Sequence, residues 1–310
     1  MLVDDMTVSV VILTYGNFDG LERTINSVLT QDIPIKTLVI SDDGSGLAFP
    51  QEVVTRLNEI RGRYHRLIFR QNEANLGTVA HMNLTAALCD DAYVKFLASG
   101  DAFYTTQSLR ELMTFAQKKG TLVVTASSVV SSLDLAQEYY LFPGHRRGDM
   151  LNLKRDRQYS ILVQGNRISA AATLFRTEFF SEHGGFDQTY RLLEDWPTWL
   201  RLTREGETIP YLHKVVCRYA LGGLSSQNGN AFCAPALRAD MLVCYEKEIL
   251  PYLGRLSVGE KYKARYGYAC LSGVESRTLW RDYFPLELKS FMKRRIKQYL
   301  VKRESYGSRS

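Results

Sequence analysis

Four short apolar, β-branched runs in the first hundred residues, each followed by apolar residues at helical spacing, constrain the fold of this chain more than any other feature. Val8 to Leu13 has the character of a buried strand, and Leu21, Ile25, Val28 and Leu29 then line one side of a helix. Leu38 to Ile40 is the next strand. Pro50 opens a helix carrying Val53, Val54, Leu57 and Ile60, since the N–H that proline lacks would be unpaired in a first turn anyway. Arg66 to Phe69 and Tyr93 to Ala98 supply the third and fourth strands, separated by a helix from about Thr78 to Leu88. This βαβαβαβ order predicts an α/β fold with a doubly wound, mostly parallel sheet flanked by helices, and a ligand site outside the C-terminal strand edge.

The residues just past each strand are therefore the informative ones: Thr14-Tyr15-Gly16-Asn17, Asp42-Asp43-Gly44-Ser45, Asn75-Leu76-Gly77 and Ser99-Gly100-Asp101. Loops favour Gly, Asn, Asp and Ser for turn chemistry alone, so one such cluster says little. Four in successive edge loops point to a site. Further along, a helix spans Gln107 to Lys119 and a strand Thr121 to Ala126. His145 to Gln158, with Arg146, Arg147, Lys154, Arg155 and Arg157, reads as a long basic loop of the kind that covers a substrate. A strand over Ala171 to Phe175, a short helix ending at Gly184-Gly185, a helix from near Glu194 and a strand over Val215 to Leu221 complete the core; from about Asn230 the pattern is helical.

Composition removes several alternatives. The 310 residues, 45% of them apolar, can bury a sizeable core. Cys89, Cys217, Cys233, Cys244 and Cys270 form no CxxC pair and read as reduced thiols, and the five histidines form no HExxH or similar spacing, which argues against zinc. Lys289 to Arg303 holds seven of the basic residues and no acid, so the formal charge of +6 belongs to the tail and the body is not a nucleic-acid binder. The strand-like run Val8 to Leu13, like every other apolar stretch, is far short of the roughly 18–20 residues that span a bilayer, and the opening MLVDDMT is acidic where a secretory signal is basic. A cytoplasmic location is expected.

In order, SVVILTYGN, SDDGSG, EANLGTVAHMN, YVKFLASGDAFY and GGFDQTYRLLEDWPTWLRLTREG make the chain resemble a family 2 glycosyltransferase of the GT-A fold over roughly residues 7 to 226. The resemblance implies an enzyme that moves a sugar, probably from a UDP-linked donor, to a hydroxyl of a growing surface glycan or lipid-linked acceptor with inversion. It puts Thr14 and Tyr15 beside the nucleotide base and gives Asp42 the role of accepting a hydrogen bond from it, with Asp43 adjacent. Asn75 and Gly77 would contact the donor where backbone approaches it, with His81 and Asn83 serving there or in packing. The family's acidic metal motif falls at Ser99-Gly100-Asp101, where only Asp101 is an acid. A Mn²⁺ or Mg²⁺ cofactor would then rest on Asp101 and the donor's phosphates. Asp195 would be the general base, with Glu194 its neighbour. Arg218, with Ser225 or Ser226, would close on the diphosphate. Trp196 and Trp199 either stack on sugar or pack the helix.

These assignments predict a catalytic domain over 1–226, with 1–104 binding the donor and 105–226 carrying the acceptor side and the base, then a helical C-terminal extension over 227–310. In the latter, Leu288, Phe291, Met292, Ile296, Tyr299 and Leu300 recur at helical spacing among lysines and arginines. Residues 286–303 thus suit peripheral attachment to the inner face of a membrane. Two other functions compete. The loss of acids at Ser99 and Gly100 fits a catalytically impaired sugar-nucleotide or glycan-binding module, whereas a nucleotidyltransferase would need a basic glycine-rich loop after the first strand, which Thr14 to Asn17 lacks.

Overall fold

A computed structural model describes residues 6–293 apart from 17, 60 and 223–233. The chain divides into two compact units, Met1–Asp240 and Met241–Ser310. The first is built on a nine-stranded sheet whose path runs β3-β2-β1-β4-β8-β6-β9-β5, with β7 added to β6. The strands are β1 (Val8–Thr14), β2 (Ile35–Asp42), β3 (Tyr64–Gln71), β4 (Tyr93–Ala98), β5 (Ala102–Phe103), β6 (Val123–Ser131), β7 (Glu138–Phe142), β8 (Thr173–Arg176) and β9 (Tyr211–Ala220). The first four are parallel and β6 and β9 are parallel to each other, while β8 runs antiparallel between β4 and β6. The sheet is the doubly wound, mostly parallel one that the strand–helix alternation predicts.

Side-chain period decides how the helices attach. Val10, Ile12, Leu38 and Ile40 sit on the same buried cluster as Leu21, Ile25, Val28 and Leu29 of α1 (Leu21–Leu29) and Leu57 of α2 (Gln51–Glu59). Each such apolar side chain contributes about 1.5–3 kcal/mol when fully buried. On α3 (Thr78–Ala86), Val79 and Met82 are buried, and α4 (Ser108–Lys119) adds Leu109, Leu112, Met113 and Ala116 to the cluster. After β1 the chain moves outward through β2 and β3, then returns on the other side of β1 at β4. In doubly wound sheets such a reversal, here at the C-terminal ends of β1 and β4, is where ligands bind. Backbone bonds clip the strand ends together there: Asp43 N–H donates to Thr14 C=O at 2.9 Å and Ser99 N–H to Leu13 C=O at 2.7 Å.

The stretch read as a long loop is instead α5 (His145–Leu153), a 3₁₀ turn at Arg155–Arg157 and α6 (Gln158–Val163). Only Gly148 and Leu151 of α5 are buried, too few to leave a periodic trace in the sequence. Tertiary contact makes the helix: a Cβ on Gly148 would lie 2.3 Å from Tyr211 Cζ, so the backbone rests on the ring of a β9 residue. The two-residue β5 and the largely exposed β7 lack a readable pattern for the same reason. Two further helices, α7 (Glu178–Ser181) and α8 (Asp195–Glu205), complete the sheet unit.

In the second unit, which α9 (Pro235–Cys244) enters, α10 (Val258–Ser272) begins with a reciprocal Ser257–Glu260 cap and is followed by α11 (Ser276–Asp282). Among the described residues, no helix is long and apolar enough to cross a membrane. Cys89, Cys217, Cys244 and Cys270 are unbridged. Ser225, Ser226 and the basic tail from 294 onward lie outside the described residues.

Candidate active site

The acids after β2 have different occupations. Asp42 is fully buried; its Oδ2 accepts Ser45 N–H at 2.8 Å and its Oδ1 the Ser45 hydroxyl, which holds the Gly44-Ser45 turn over the strand end. Gly16 N–H donates to Ser45 Oγ at 2.7 Å, so the loop after β1 is tied to the same turn, with Thr14 buried and Tyr15 exposed beside it. Asp43 collects four donors: Asn72 Nδ2 at 2.9 Å and Leu76 N–H at 3.0 Å on Oδ1, then Asn75 Nδ2 at 3.1 Å and Gly77 N–H at 3.0 Å on Oδ2. Asp43 therefore builds the loop that carries Asn75 and Gly77. Beneath them His81 is buried against Ser41 Oγ at 2.7 Å, with burial lowering its proton affinity, and Asn83 bridges Phe186 through both backbone groups, at 2.7 and 3.0 Å. Both are packing residues.

Two residues that carry no sequence signature join this loop to the proposed base. Arg191 Nη2 donates to Asn75 Oδ1 at 2.6 Å, and Gly77 leaves no room beside it, since a Cβ would meet Arg191 Cγ and C=O at 2.7 Å. Asp240 Oδ2 then accepts three successive N–H groups, from Arg191 at 3.0 Å, Leu192 at 2.6 Å and Leu193 at 3.0 Å. This carboxylate fixes the turn that delivers Glu194 and Asp195 to the start of α8. A run of adjacent N–H groups binds an anion by shared geometry, which a single-residue motif search does not detect.

Glu194 and Asp195 lie deep in the protein yet keep a partly exposed edge. Burial raises both pKa values, and the Asp195 charge raises that of Glu194 further. Two donors oppose the shift at Asp195: Trp196 N–H on Oδ1 and Asn166 Nδ2 on Oδ2 at 2.5 Å. Asn166 cannot turn over, because its Oδ1 accepts Ile168 N–H at 3.1 Å. Trp196 donates to Leu162 C=O at 2.8 Å, and Trp199 is fully buried in a stack with Phe175 at 5.9 Å. Both tryptophans pack the helix and neither offers a face to a sugar.

At the third position Ser99 donates to Asp19 C=O at 3.2 Å, while Asp101 Oδ1 accepts Ala220 N–H at 2.9 Å. Asp101 is 3% exposed, and burial pushes its carboxyl up to about 7. Among the described residues no cluster of three His, Cys, Asp or Glu side chains could hold a metal. Asp101 is thus the single acid of this Ser99-Gly100-Asp101 turn, and a cation held there would need its other ligands from outside the protein. Arg218 is engaged elsewhere, with Nε on Glu138 at 3.2 Å, Nη1 on Tyr104 C=O at 3.3 Å and the guanidinium 4.6 Å over the Tyr104 ring. It lines a cavity of about 390 Å³ with Arg23, Gln31, Tyr104 and Leu135, which holds none of the acids described above.

The sequence model of glycosyl transferase family 2 matches residues 9–182, more than half of the chain. No curated protein matches by sequence. Among solved structures, S. aureus TarS is similar with a TM-score of 0.58 at 17% identity, over 88% of this chain and 44% of that one. TarS 1-349 in complex with UDP-GlcNAc gives a TM-score of 0.60 at 16% identity, over 89% and 75%. The same segment in complex with UDP gives 0.57 at 15%, over 89% and 74%. Identities this low show a shared fold. The chain spans less than half the length of the first of these structures.

Proposed function

The chain belongs to glycosyl transferase family 2, and we propose that it is an inverting enzyme that moves a sugar from a UDP-linked donor to a hydroxyl of a surface glycan or lipid-linked acceptor. The observation that carries this reading is Asp195: a carboxylate with raised proton affinity, oriented by Asn166 and linked through Arg191 to the loop after β3. In the proposal Asp195 takes the proton of the acceptor hydroxyl as that oxygen attacks the anomeric carbon from the face opposite the leaving nucleotide. Glu194, raised by the same burial, stays protonated beside it and leaves the negative charge on Asp195.

Residues 1–104 bind the donor and 105–226 carry the acceptor side. Thr14, Tyr15 and Asp42 meet the base; Asn75 and Gly77, held by Asp43, approach the donor with backbone; Ser99 and Asp101 face the diphosphate. The Glu138 and Tyr104 contacts of Arg218 give it a bracing role on β9 unless donor binding releases it. A Mn²⁺ or Mg²⁺ ion on Asp101 would offset the charge of the departing diphosphate.

The experiment is a thermal-shift and turnover panel of UDP-, GDP-, ADP- and CMP-sugars with and without Mn²⁺. A UDP-sugar at 100 times its Kd adds about 2.7 kcal/mol to stability, with slow release of UDP, and the Mn²⁺ increment disappears in Asp101→Asn. A larger response to another nucleotide would sink the UDP assignment. Binding with no release of nucleotide under any acceptor condition would favour the binding module.

Peripheral membrane attachment through 286–303 is part of the same reading, supported by the exposed apolar residues Leu288, Phe291 and Met292. Deleting residues 286–310 is expected to abolish co-flotation with anionic vesicles in low salt. Undiminished flotation removes the tail from the model of attachment.

A further inference from the structure

The cavity of about 390 Å³ is lined from α1, from β5 and the residues after it, from the turn joining β6 to β7, and from β9. Small-molecule sites span about 300–1,000 Å³, so it has room for a sugar-sized molecule and not only for an ion. No aspartate or glutamate lines it, whereas Arg23 of α1 and Arg218 of β9 both do, and its other polar residues are uncharged. A cation would find no carboxylate in that cavity. An oxyanion would find two guanidiniums.

The two arginines differ in what already holds them. Arg218 is braced by Glu138, by Tyr104 C=O and by the Tyr104 ring beneath its guanidinium. Arg23 has no ion pair among the described residues. Its Nη2 donates to two carbonyls, Leu133 at 2.6 Å and Gly100 at 3.3 Å, and its Nε is buried with no acceptor. A guanidinium whose charge is answered only by carbonyl dipoles, and which keeps an unmet N–H, gains most from an added oxyanion.

Leu135, in the turn between β6 and β7, lines the same cavity at φ 60°, the only non-glycine with positive φ among the described residues. Leucine is disfavoured in that left-handed region and glycine is not, so its side chain is kept at a conformational cost. What it supplies is cavity wall. The arginines also adjoin the turn bearing Asp101: Arg23 reaches Gly100, and Ala102 pairs with Arg218 across β5 and β9. A ligand that draws on either guanidinium therefore acts on the backbone that positions Asp101.

We propose that this cavity is a binding site, separate from the donor and from Asp195, for a phosphate monoester of sugar-phosphate size. Arg23 is its principal phosphate ligand and Arg218 the second cation lining it. A phosphate monoester carries a charge of about −1.5 to −2 and three acceptor oxygens, more than a carboxylate offers to two guanidiniums.

The test titrates the full chain with glucose 6-phosphate, inorganic phosphate and glucose at constant ionic strength, by thermal shift and calorimetry. Glucose 6-phosphate raises Tm and binds more tightly than inorganic phosphate, and glucose gives no shift. Arg23→Gln weakens glucose 6-phosphate about tenfold or more, as loss of charge-assisted hydrogen bonds requires. Because Arg23 also bonds two backbone carbonyls, Thr30→Glu provides an independent arm. Thr30 is exposed where it lines the cavity, and its hydroxyl bonds only carbonyls of its own helix, Asn26 at 2.9 Å and Ser27 at 3.2 Å, so the fold survives. The new carboxylate then competes for the guanidiniums and binding is lost. Leu135→Gly relieves the backbone while removing wall, so Tm holds or rises as affinity falls; a leucine kept for stability alone would lower Tm. Wild-type affinity in Thr30→Glu overturns the proposal, as does equal binding of glucose 6-phosphate and inorganic phosphate. Displacement of glucose 6-phosphate by UDP would assign the cavity to the donor and overturn it as well.

Discussion

Asp195→Asn is expected to lower kcat for sugar transfer by about 10²–10⁴-fold, the range for loss of a positioned general base, while UDP affinity stays within a few-fold of wild type. The substitution is nearly isosteric, and an amide oxygen can still accept from Asn166 Nδ2 or from Trp196 N–H, so the entry to α8 should survive. Asn166→Ala sharpens the test through pH. The Asn166 hydrogen bond lowers the Asp195 pKa against the burial that raises it, so removing it lets the pKa rise further. A base must be ionised to act, and the acidic limb of the kcat/KM profile should therefore move to higher pH in Asn166→Ala. Unchanged kcat in Asp195→Asn would remove the base from this position. An unmoved acidic limb in Asn166→Ala, with only a lower Tm, would reduce Asn166 to packing.

The second large effect is on stability. Asp43→Ala strands two backbone N–H groups and two asparagine amides that now converge on one buried carboxylate. The loss is expected to be about 2–4 kcal/mol, since an orphaned buried donor costs about 1–3 kcal/mol and the asparagines can turn toward water. UDP affinity should fall more than tenfold alongside, because the loop bearing Asn75 and Gly77 loses its anchor. Asp43→Asn keeps one good acceptor oxygen and should lie between. Thermal denaturation with a UDP titration on each variant measures both quantities; a Tm within a degree of wild type in Asp43→Ala would mean the loop is held by Arg191 and its own turns.

Asp42, at the end of β2, and Asp43, just past it, have different contacts. The resemblance in the sequence leads one to expect Asp42 and Asp43 side by side at the donor. Their hydrogen bonds separate them: Asp43 has four protein donors, whereas both donors to Asp42 come from Ser45. With two donors Asp42 retains lone pairs for a base N–H, and Asp43 has few to spare.

By itself the sequence determined the alternation of strands and helices, the edge loops that follow the strands, and the positions of Asp42, Asp101 and the Glu194-Asp195 pair. Those features are local. Apolar residues recurring every second or every third to fourth position declare a strand or a helix, and a parallel sheet then delivers the following loops to one edge.

Tertiary structure alone decided what orients the acids. Asn75 and Arg191 are 116 residues apart, Arg191 and Asp240 are 49 apart, and Asn166 lies 29 before Asp195. A hydrogen bond between distant residues depends on where the backbone has carried each partner and leaves no periodicity in the chain. The same holds for α5, whose Gly148 backbone rests on the ring of Tyr211 in a distant strand.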